Sequence, residues 1–378
     1  MRVGCSVKKD FLVQRHRGML KKCRMLQNGQ FIELSLSTLR KPATRAFMSK
    51  SDSLPNALYL GIDVGGTEVK LGIIDSEGEV VDLDQAATSD LVSPEKVLGF
   101  AIDFAKTYKE SILAVGLAVP GVLDTRVSII REVVNLDGWL GVPLLDQLSR
   151  RVSWPATVVN DANAAAYAEH SIRKLDDRSL AMLTLGTGVG CGLVVSGEPY
   201  GGDFGCAGEL GHIVIDFSDD AIPCTCGSHG HLESYTGARG VVARMQAACR
   251  AADQQVDSGL TPLRIAELAD AGDKIAREII AETGVYVGRA IGMVGQVINP
   301  AVVLLGGAMT FGGDSSEVGQ LFLKAVCESV QQTTLTQVSG NMQIEFARLG
   351  NRAGVIGAAM VARHHLSSLP KRTCQSFS

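Results

Sequence analysis

The sequence predicts an α/β protein built from two related domains. Strand-like and helix-like stretches alternate from Ala57 onward, and two apolar, strand-like segments each contain a glycine-rich turn. Of the 378 residues, 46% are hydrophobic and 20% are charged, which is enough apolar material for two cores. No apolar run approaches the ~18 uninterrupted residues of a membrane span. We therefore expect a compact globular protein without a membrane segment.

Two meanders of similar design carry the glycine turns. The stretch ALYLGIDVGGTEVKLGIIDSEGEVVDL predicts an apolar strand, a reversal at Gly65 and Gly66, a second strand, a polar SEGE turn and a third strand. The same order recurs in SLAMLTLGTGVGCGLVVSGEPYGG, where the turn covers Gly186 to Gly192. Two halves of the chain therefore share one plan.

The remaining elements lie between and after these meanders. VSPEKVLGFAIDFAKTYKE has helical spacing, ILAVGLAVPG predicts a buried strand, and ATVVNDANAAAYAEH predicts a strand that runs into an alanine-rich helix. Residues 261–298 are mostly helical in pattern, AVVLLGGAM is a strand with a glycine turn, and NRAGVIGAAMVARHH is a closing helix. We expect a small domain at residues 56–175, closed by the helix at 354–366, a larger domain at 176–353 and a tail at 367–378.

Residues 1–55 form a basic extension. The first 50 residues contain 12 lysines and arginines against Asp10 and Glu33, a charge of +10; because the whole chain is −4, the rest is −14. We expect the extension to be disordered or absent from the mature protein. Three explanations stay open: translation that begins at Met48, a targeting arm of arginine-rich and acid-poor composition, and a DNA-binding arm.

The nine cysteines are too dilute for a disulfide scaffold. Most of them, such as Cys191 and Cys249, lie in apolar contexts where a thiol acts as a small hydrophobe. We therefore expect a reducing, cytoplasmic environment. The exception is the stretch CTCGSHGHLE, from Cys224 to Glu233, which combines two cysteines, two histidines and a glutamate.

The glycine turns indicate phosphate binding by hairpins. Neither is a Walker loop or a helix-opening GxGxxG turn, because no Gly-Lys-Ser/Thr follows and each turn leads into a strand. Glycines let backbone N–H groups approach phosphate oxygens, and Thr67 or Thr187 can donate a hydroxyl. Asp63, at the end of the first strand, is suited to hold Mg²⁺, usually through water. The alternative is that each turn only closes a hairpin.

With these motifs the chain resembles the ROK family of sugar kinases and repressors, within the actin-like, hexokinase-like ATPase superfamily. The resemblance runs from about Tyr59 to Ala362. DVGGT is similar to the family's first phosphate motif, LGTGVG to the second and LLGGA to the adenosine motif. VPG and NLDGW resemble its sugar-side loops, and ELGH followed by CxCGxxGxxE resembles its signature. The resemblance implies a two-domain actin-like (ribonuclease H-like) ATPase fold with a cleft between the domains.

The resemblance also implies an ATP site and a sugar site. The candidate nucleotide-binding residues are Asp63, Gly65, Gly66, Thr67, Lys70, Gly186, Thr187, Gly188, Gly190, Gly306 and Gly307. The candidate sugar-binding residues are Asn135, Asn160, Asp161, Glu209, His212 and Glu233. Carboxylates and amides suit sugars because each hydroxyl offers a donor and an acceptor. Taken singly, Glu209 could be a solvated loop acid, Glu233 a helix start and Asp161 an N-cap.

A structural zinc site is implied in the same way. In the family pattern a histidine and three cysteines hold the metal, and the matching positions are His212, Cys224, Cys226 and His231. Tetrahedral zinc accepts the histidine that replaces the third cysteine, although His229 is a rival ligand. The alternative is a polar loop with two reduced thiols and no metal.

The implied activity is ATP-dependent phosphorylation of a hexose 6-hydroxyl, with glucose favoured and Asp161 as general base. We expect Asp161 to have an unperturbed pKa near 3.9 and so to be ionised at neutral pH. N-acetylglucosamine, N-acetylmannosamine and fructose stay open as substrates, and polyphosphate as donor. The expected partners are the hexose, ATP with Mg²⁺, Zn²⁺ and further copies of the chain in a dimer or tetramer.

A sugar-responsive repressor is the alternative from another class of protein. The first 50 residues do not show two clean amphipathic helices joined by a short turn, and they are short for a DNA-binding domain with a linker. The complete phosphate motifs and Asp161 also favour catalysis. Nucleic acid is therefore not an expected partner.

Overall fold

The computed structural model describes residues 22–27, 30–35, 57–133, 136–257 and 259–368. Residues 1–52 and 53–378 form two separate compact units. In the first unit, strands β1 (Lys22–Gln27) and β2 (Gln30–Ser35) pair as an antiparallel hairpin. The other residues of 1–55 lie outside the described part of the chain. The disorder and the alternative roles expected for this extension therefore stay predictions.

The first sheet of the second unit contains the predicted meander and two parallel strands. Its strands are β3 (Leu58–Val64), β4 (Glu68–Asp75), β5 (Val80–Ala87), β6 (Ile112–Val119) and β9 (Ala156–Asn160). Between β6 and β9 the chain forms a separate hairpin of β7 (Val122–Asp124) and β8 (Ile129–Glu132). The order across the sheet is β5-β4-β3-β6-β9. β3 to β5 are antiparallel, whereas β6 and β9 run parallel to β3.

The second sheet repeats this design. Its strands are β10 (Leu180–Leu185), β11 (Val189–Val195), β12 (Glu198–Pro199), β13 (Val302–Gly306) and β14 (Gln343–Phe346), in the order β12-β11-β10-β13-β14. β10 to β12 form the antiparallel meander, and β13 and β14 extend the sheet in parallel. The α/β class and the shared plan of the two halves are therefore confirmed. The domain boundary at residues 175 and 176 stays a prediction.

Helices cover both sheets and fill the space between them. They are α1 (Pro94–Ala105), α2 (Leu144–Arg151), α3 (Asp161–Ile172), α4 (Leu232–Thr236), α5 (Ala238–Ala251), α6 (Pro262–Asp270), α7 (Lys274–Val297), α8 (Glu317–Thr333), α9 (Thr336–Ser339) and α10 (Ala353–Ser368). α1 and α2 share a core with the first sheet, and α4 to α8 share one with the second. Among the described residues, no helix has the length and apolar character to cross a bilayer.

α3 and α10 lie between the two sheets, in a core that takes residues from both. Small residues make this seam very tight. A β-carbon would overlap backbone of a facing element at Gly61, Gly116, Gly192 and Gly357. At the first two positions the obstacle is the backbone of α10, and at the other two it is the backbone of α3. Main chain therefore packs on main chain along this seam.

Candidate active site

The site lies where parallel strands of both sheets end. Because β3, β6 and β9 are parallel, Asp63 and Asn160 lie at the same edge of the first sheet. Because β10 and β13 are parallel, Gly186 and Gly307 follow strands that end at the corresponding edge of the second sheet. Such edges are where open α/β sheets bind ligands.

The first glycine turn joins β3 to β4. The Gly65 N–H donates to the Glu68 carbonyl oxygen at 2.9 Å, and this contact closes the turn. The N–H groups of Gly66 and Thr67, both exposed, have no hydrogen-bond partner within the described part of the chain. Two adjacent open amides suit an anionic oxygen.

Thr88, which follows β5, was not predicted as a site residue, yet it contacts this turn twice. Its N–H donates to the Thr67 carbonyl oxygen at 2.9 Å, and its hydroxyl donates to the Gly65 carbonyl oxygen at 2.7 Å. Its position follows from the register of the assembled sheet, which pairs Glu68 with Ala87 and so places residue 88 opposite residue 67.

The second glycine turn joins β10 to β11. The Gly186 N–H donates to the Gly188 carbonyl oxygen at 3.0 Å, while the N–H groups of Thr187 and Gly188 have no partner among residues that the structure describes. The Ala238 N–H, at the start of α5, donates to the Gly186 carbonyl oxygen at 3.0 Å. This turn therefore presents the same pair of open amides as the first.

Glu233 connects the sugar-side residues to the second turn. It lies in the first turn of α4, as the helix-start alternative suggested, and its Oε2 accepts the Val189 N–H at 3.0 Å. A side chain at Gly188 would overlap this carboxylate. Its Oε1 has no hydrogen-bond partner in the described residues. One carboxylate can thus contact a sugar hydroxyl and the phosphate turn together.

A cavity of about 430 Å³ lies beside the second turn. Eight predicted residues line it: Gly186, Thr187, Gly188, Gly190, Gly307, Glu209, His212 and Glu233. Gly307 has a φ of +91°, which glycine adopts without strain, and a β-carbon there would overlap the Leu185 carbonyl. The structure therefore brings eight of the seventeen predicted nucleotide- and sugar-binding residues to one wall.

Several predicted residues lie elsewhere or cannot be placed. Asn160 lines a separate cavity of about 220 Å³, and Gly306 pairs with Thr184 inside the second sheet. Lys70 pairs with Asp63 across β3 and β4, and its Nζ lies 3.9 Å from the Glu68 carboxylate. Asn135 lies outside the described residues.

Asp161 is the first residue of α3, and Asn160 before it is the N-cap. The Asn160 Oδ1 accepts the Asn163 N–H at 3.0 Å, and its Nδ2 donates to the Gly121 carbonyl oxygen at 3.0 Å. The N-cap alternative for Asp161 is therefore wrong. Because Asn160 supplies the cap, the Asp161 carboxylate keeps one oxygen free for chemistry.

Burial raises the pKa of Asp161 to about 6. A hydrogen bond from the Ala162 N–H, at 2.8 Å, acts in the opposite direction, whereas repulsion from Asp63 and Glu209 raises the pKa further. The expectation of an unperturbed value near 3.9 is wrong, because the sequence alone does not show that this helix start is desolvated beside two other acids. At pH 7 the group is still mostly ionised and is a stronger base than an ordinary aspartate.

Burial also raises the pKa of Asp63 to about 6, although the opposite charge of Lys70 lowers it in part. No hydrogen bond to the Asp63 carboxylate is present among the described residues. A carboxylate that is desolvated without hydrogen bonds gains stability from a nearby cation, and oxygen ligands are those that Mg²⁺ prefers. Asp63 therefore fits the role expected for it.

The four predicted metal ligands form one cluster. The ligand atoms of His212, Cys224, Cys226 and His231 all lie within 4.8 Å of one another. The two Nδ1 atoms are 3.4 Å apart, and Cys226 Sγ lies 3.2 Å from His231 Nδ1. A tetrahedral zinc with these ligand types has separations of about 3.3–3.8 Å, so the widest pairs of the cluster, at up to 4.8 Å, would close around the ion. The residues therefore fit zinc; His229, which is exposed, is not part of the cluster.

The surroundings of Cys224 favour the thiolate form of its side chain. Burial alone would raise its pKa, but hydrogen bonds from the Cys226 backbone and from the side chains of Cys226, His231 and Ser234 outweigh burial and lower the pKa to about 6. Thiolate is the form that binds zinc. His212 turns its Nδ1 to the cluster and also lines the cavity, so its Nε2 remains for a ligand there.

Two sheets of one design, a glycine turn at the edge of each and an aspartate between them define an ATPase of the actin-like class. The ROK family model matches residues 59–365, and the chain belongs to this family. The glucokinase of Halalkalibacterium halodurans is 31% identical to this chain, over 83% of this chain and 97% of the length of that enzyme. The xylose repressor of Caldicellulosiruptor bescii is 28% identical over 82% of this chain and 79% of its own.

A solved structure extends the comparison to three dimensions. The ROK family glucokinase from Streptomyces griseus, in complex with glucose and AMPPNP, is 29% identical to this chain. The match covers 82% of this chain and 100% of that one, with a TM-score of 0.64. The actin-like fold expected from the resemblance is thereby confirmed.

Proposed function

We propose that this protein is an ATP-dependent hexose kinase that transfers the γ-phosphoryl group of ATP to the 6-hydroxyl of glucose. The observation that carries the proposal is the position of Asp161, a desolvated carboxylate close to Asp63 on the nucleotide side and Glu209 on the sugar side. The similarity to a glucokinase over 97% of that enzyme's length supports the same activity.

The two glycine turns bind the phosphates in this proposal. The open amides of Gly66 and Thr67 in one turn, and of Thr187 and Gly188 in the other, donate to phosphate oxygens without side-chain interference. Gly307 and its neighbours lie on the adenosine side. Asp63 would hold Mg²⁺ through water, and the ion would offset the charge of the β- and γ-phosphates.

The sugar lies against the acidic wall of the cleft. Glu209 and Glu233 pair with hydroxyls and the His212 Nε2 donates another hydrogen bond, whereas Asn160 caps α3 and lines a separate cavity. Asp161 orients the 6-hydroxyl and accepts its proton at a free carboxylate oxygen as the bond to phosphorus forms and ADP leaves. Closure of the cleft excludes water that would otherwise take the phosphoryl group.

Zinc would be held by His212, Cys224, Cys226 and His231, with a structural role because four protein ligands leave no open position. Bound there, it would fix the ring of His212 and the segment that leads from His231 into Glu233. Two further features also stay proposals: a homo-oligomer, and a reducing, cytoplasmic location, which the free cysteines among the described residues fit.

Activity is expected to fall at acidic pH. A carboxyl whose pKa is raised to about 6 is protonated below that pH and cannot accept the proton, so kcat/KM, which reports the free enzyme, should be about tenfold lower at pH 5 than at pH 7 and level off above pH 7. A kcat/KM profile between pH 5 and 8, with the enzyme's folding checked at each pH, measures this. A profile that stays flat down to pH 5 would contradict it.

The sugar preference is tested with a panel of sugars and ATP in a coupled phosphorylation assay. Glucose should give the highest kcat/KM, at least ~10-fold above N-acetylglucosamine or N-acetylmannosamine, a gap of about 1.4 kcal/mol. The reason is that the identified groups suit hydroxyls, and an analogue that leaves a buried partner unpaired is penalised.

The outcomes of this panel separate the alternatives. An N-acetylhexosamine that matches glucose would overturn the substrate but not the kinase. Sugar binding without phosphorylation of any sugar, whether ATP or polyphosphate is the donor, would favour the repressor, the second candidate that the similarity to the xylose repressor supports.

A further inference from the structure

We propose that Thr88 is a positioning residue for nucleotide, because it sets the direction of the Gly66 N–H in the first phosphate turn. The inference rests on the proposed function, since it concerns the ATP side of the same site. Thr88 lies outside every predicted motif and is 6% exposed. It directly follows β5, the edge strand of the first sheet, which pairs with β4 beside the turn.

The geometry of the peptide bond gives this contact its effect. In a planar trans peptide the carbonyl and the N–H point in opposite directions. The Thr88 hydroxyl holds the Gly65 carbonyl oxygen at 2.7 Å, so the Gly66 N–H of the same peptide unit must point to the other side of the turn. That N–H has no partner among the described residues, and Gly66 is an exposed residue.

The turn needs such a contact because its internal hydrogen bond, from the Gly65 N–H to the Glu68 carbonyl oxygen, does not hold the peptide unit that follows Gly65. Gly65 and Gly66 both lack a β-carbon, so the peptide unit between them can rotate at little steric cost. A β-carbon at Gly66 would meet nothing within 4 Å, so surrounding atoms do not restrain it either. Thr88 supplies the restraint at two points, through its hydroxyl and through its N–H to the Thr67 carbonyl oxygen.

Thr88 is itself held in place. Its carbonyl oxygen accepts the Leu91 N–H at 3.1 Å, which closes a turn directly after β5. The pairing of Glu68 with Ala87 fixes the position of Thr88 along β4. The hydroxyl therefore has a defined position before any ligand binds, as expected of a group that preorganises a phosphate site.

The test compares two variants at this position with one control variant elsewhere in the chain. Thr88→Val keeps the shape and the backbone N–H but loses the hydroxyl, whereas Thr88→Ser keeps the hydroxyl. Affinity for AMPPNP with Mg²⁺ is measured by calorimetry, and glucose affinity is measured separately without nucleotide. Thr107→Val, at an exposed threonine of the short helix Lys106–Tyr108, is the matched control.

We expect Thr88→Val to weaken AMPPNP binding about 3- to 10-fold, the range for one lost hydrogen bond, and to raise the KM for ATP similarly. Glucose affinity should change less than about twofold, Thr88→Ser should restore most of the loss, and the control should match wild type. If Thr88→Val does not fold, Thr88→Ala compared with Thr88→Ser decides in the same way.

The inference is overturned if the valine variant binds AMPPNP as wild type does, if serine is as impaired as valine, or if glucose affinity falls in parallel. Its failure differs from failure of the proposed function. A wild-type protein that phosphorylates no hexose but loses AMPPNP affinity in Thr88→Val keeps the inference without the function. Hexokinase activity that is indifferent to Thr88→Val keeps the function without the inference.

Discussion

Replacement of Asp161 by asparagine is expected to lower kcat by ~10²-fold or more, with a change in sugar affinity below about threefold. The amide keeps an oxygen that accepts the Ala162 N–H and still orients the hydroxyl, but it cannot take the proton. The substitution also removes a charge beside Asp63 and Glu209, so the folded protein should not be destabilised by it. The measurement is steady-state kinetics together with glucose affinity by calorimetry.

The matched control is Asp146→Asn on the exposed side of α2, where, among the described residues, the carboxylate pairs only with Arg150, at 2.9 Å. That variant should retain wild-type kcat and KM. Near-normal turnover in purified, folded Asp161→Asn protein would remove Asp161 from its role as base, and the pH profile proposed for it would then need another group.

The second large effect concerns the metal cluster. Cys226→Ala should lose the one zinc per chain that elemental analysis is expected to find, and glucose affinity should fall by at least ~10-fold. The physical reason is that His212 is both a ligand and a cavity residue, and His231 directly precedes the turn of α4 that presents Glu233.

Cys327→Ala, in α8, is the matched control for loss of a thiol, because Cys327 is not part of the cluster. It should keep both zinc and affinity. Wild-type protein that is fully active without bound zinc would show that CTCGSHGHLE is a polar loop, the alternative that the sequence leaves open.

The two meanders could be predicted because their signals are local. An apolar run, a glycine pair and a second apolar run specify strand, turn and strand whatever lies around them. The same is true of the strand and helix around Asn160, where an apolar stretch changes into an alanine-rich one. The short strand β14, from Gln343 to Phe346, was missed because four residues with mixed burial give no clear period.

The site could be predicted only as a set of residue types. The contact of Glu233 with the Val189 N–H joins residues 44 positions apart, and no pattern near either residue encodes it. The raised pKa of Asp161 depends on how α3 packs, which is a property of the assembled sheets. Thr88 was missed for a similar reason, because the strand register that places it opposite residue 67 belongs to the assembled sheet and to no motif.

The glycine-lined seam between the sheets determines how precisely the catalytic base is positioned. At Gly61, Gly116, Gly192 and Gly357 the spacing between elements is set by contact of main-chain atoms, which have almost no conformational alternatives. A seam filled with leucines would instead let its thickness vary with the rotamers adopted. An error of about 1 Å in the reacting geometry can cost ~10²-fold in rate. The positional precision of Asp161 therefore depends on residues that have no side chain at all.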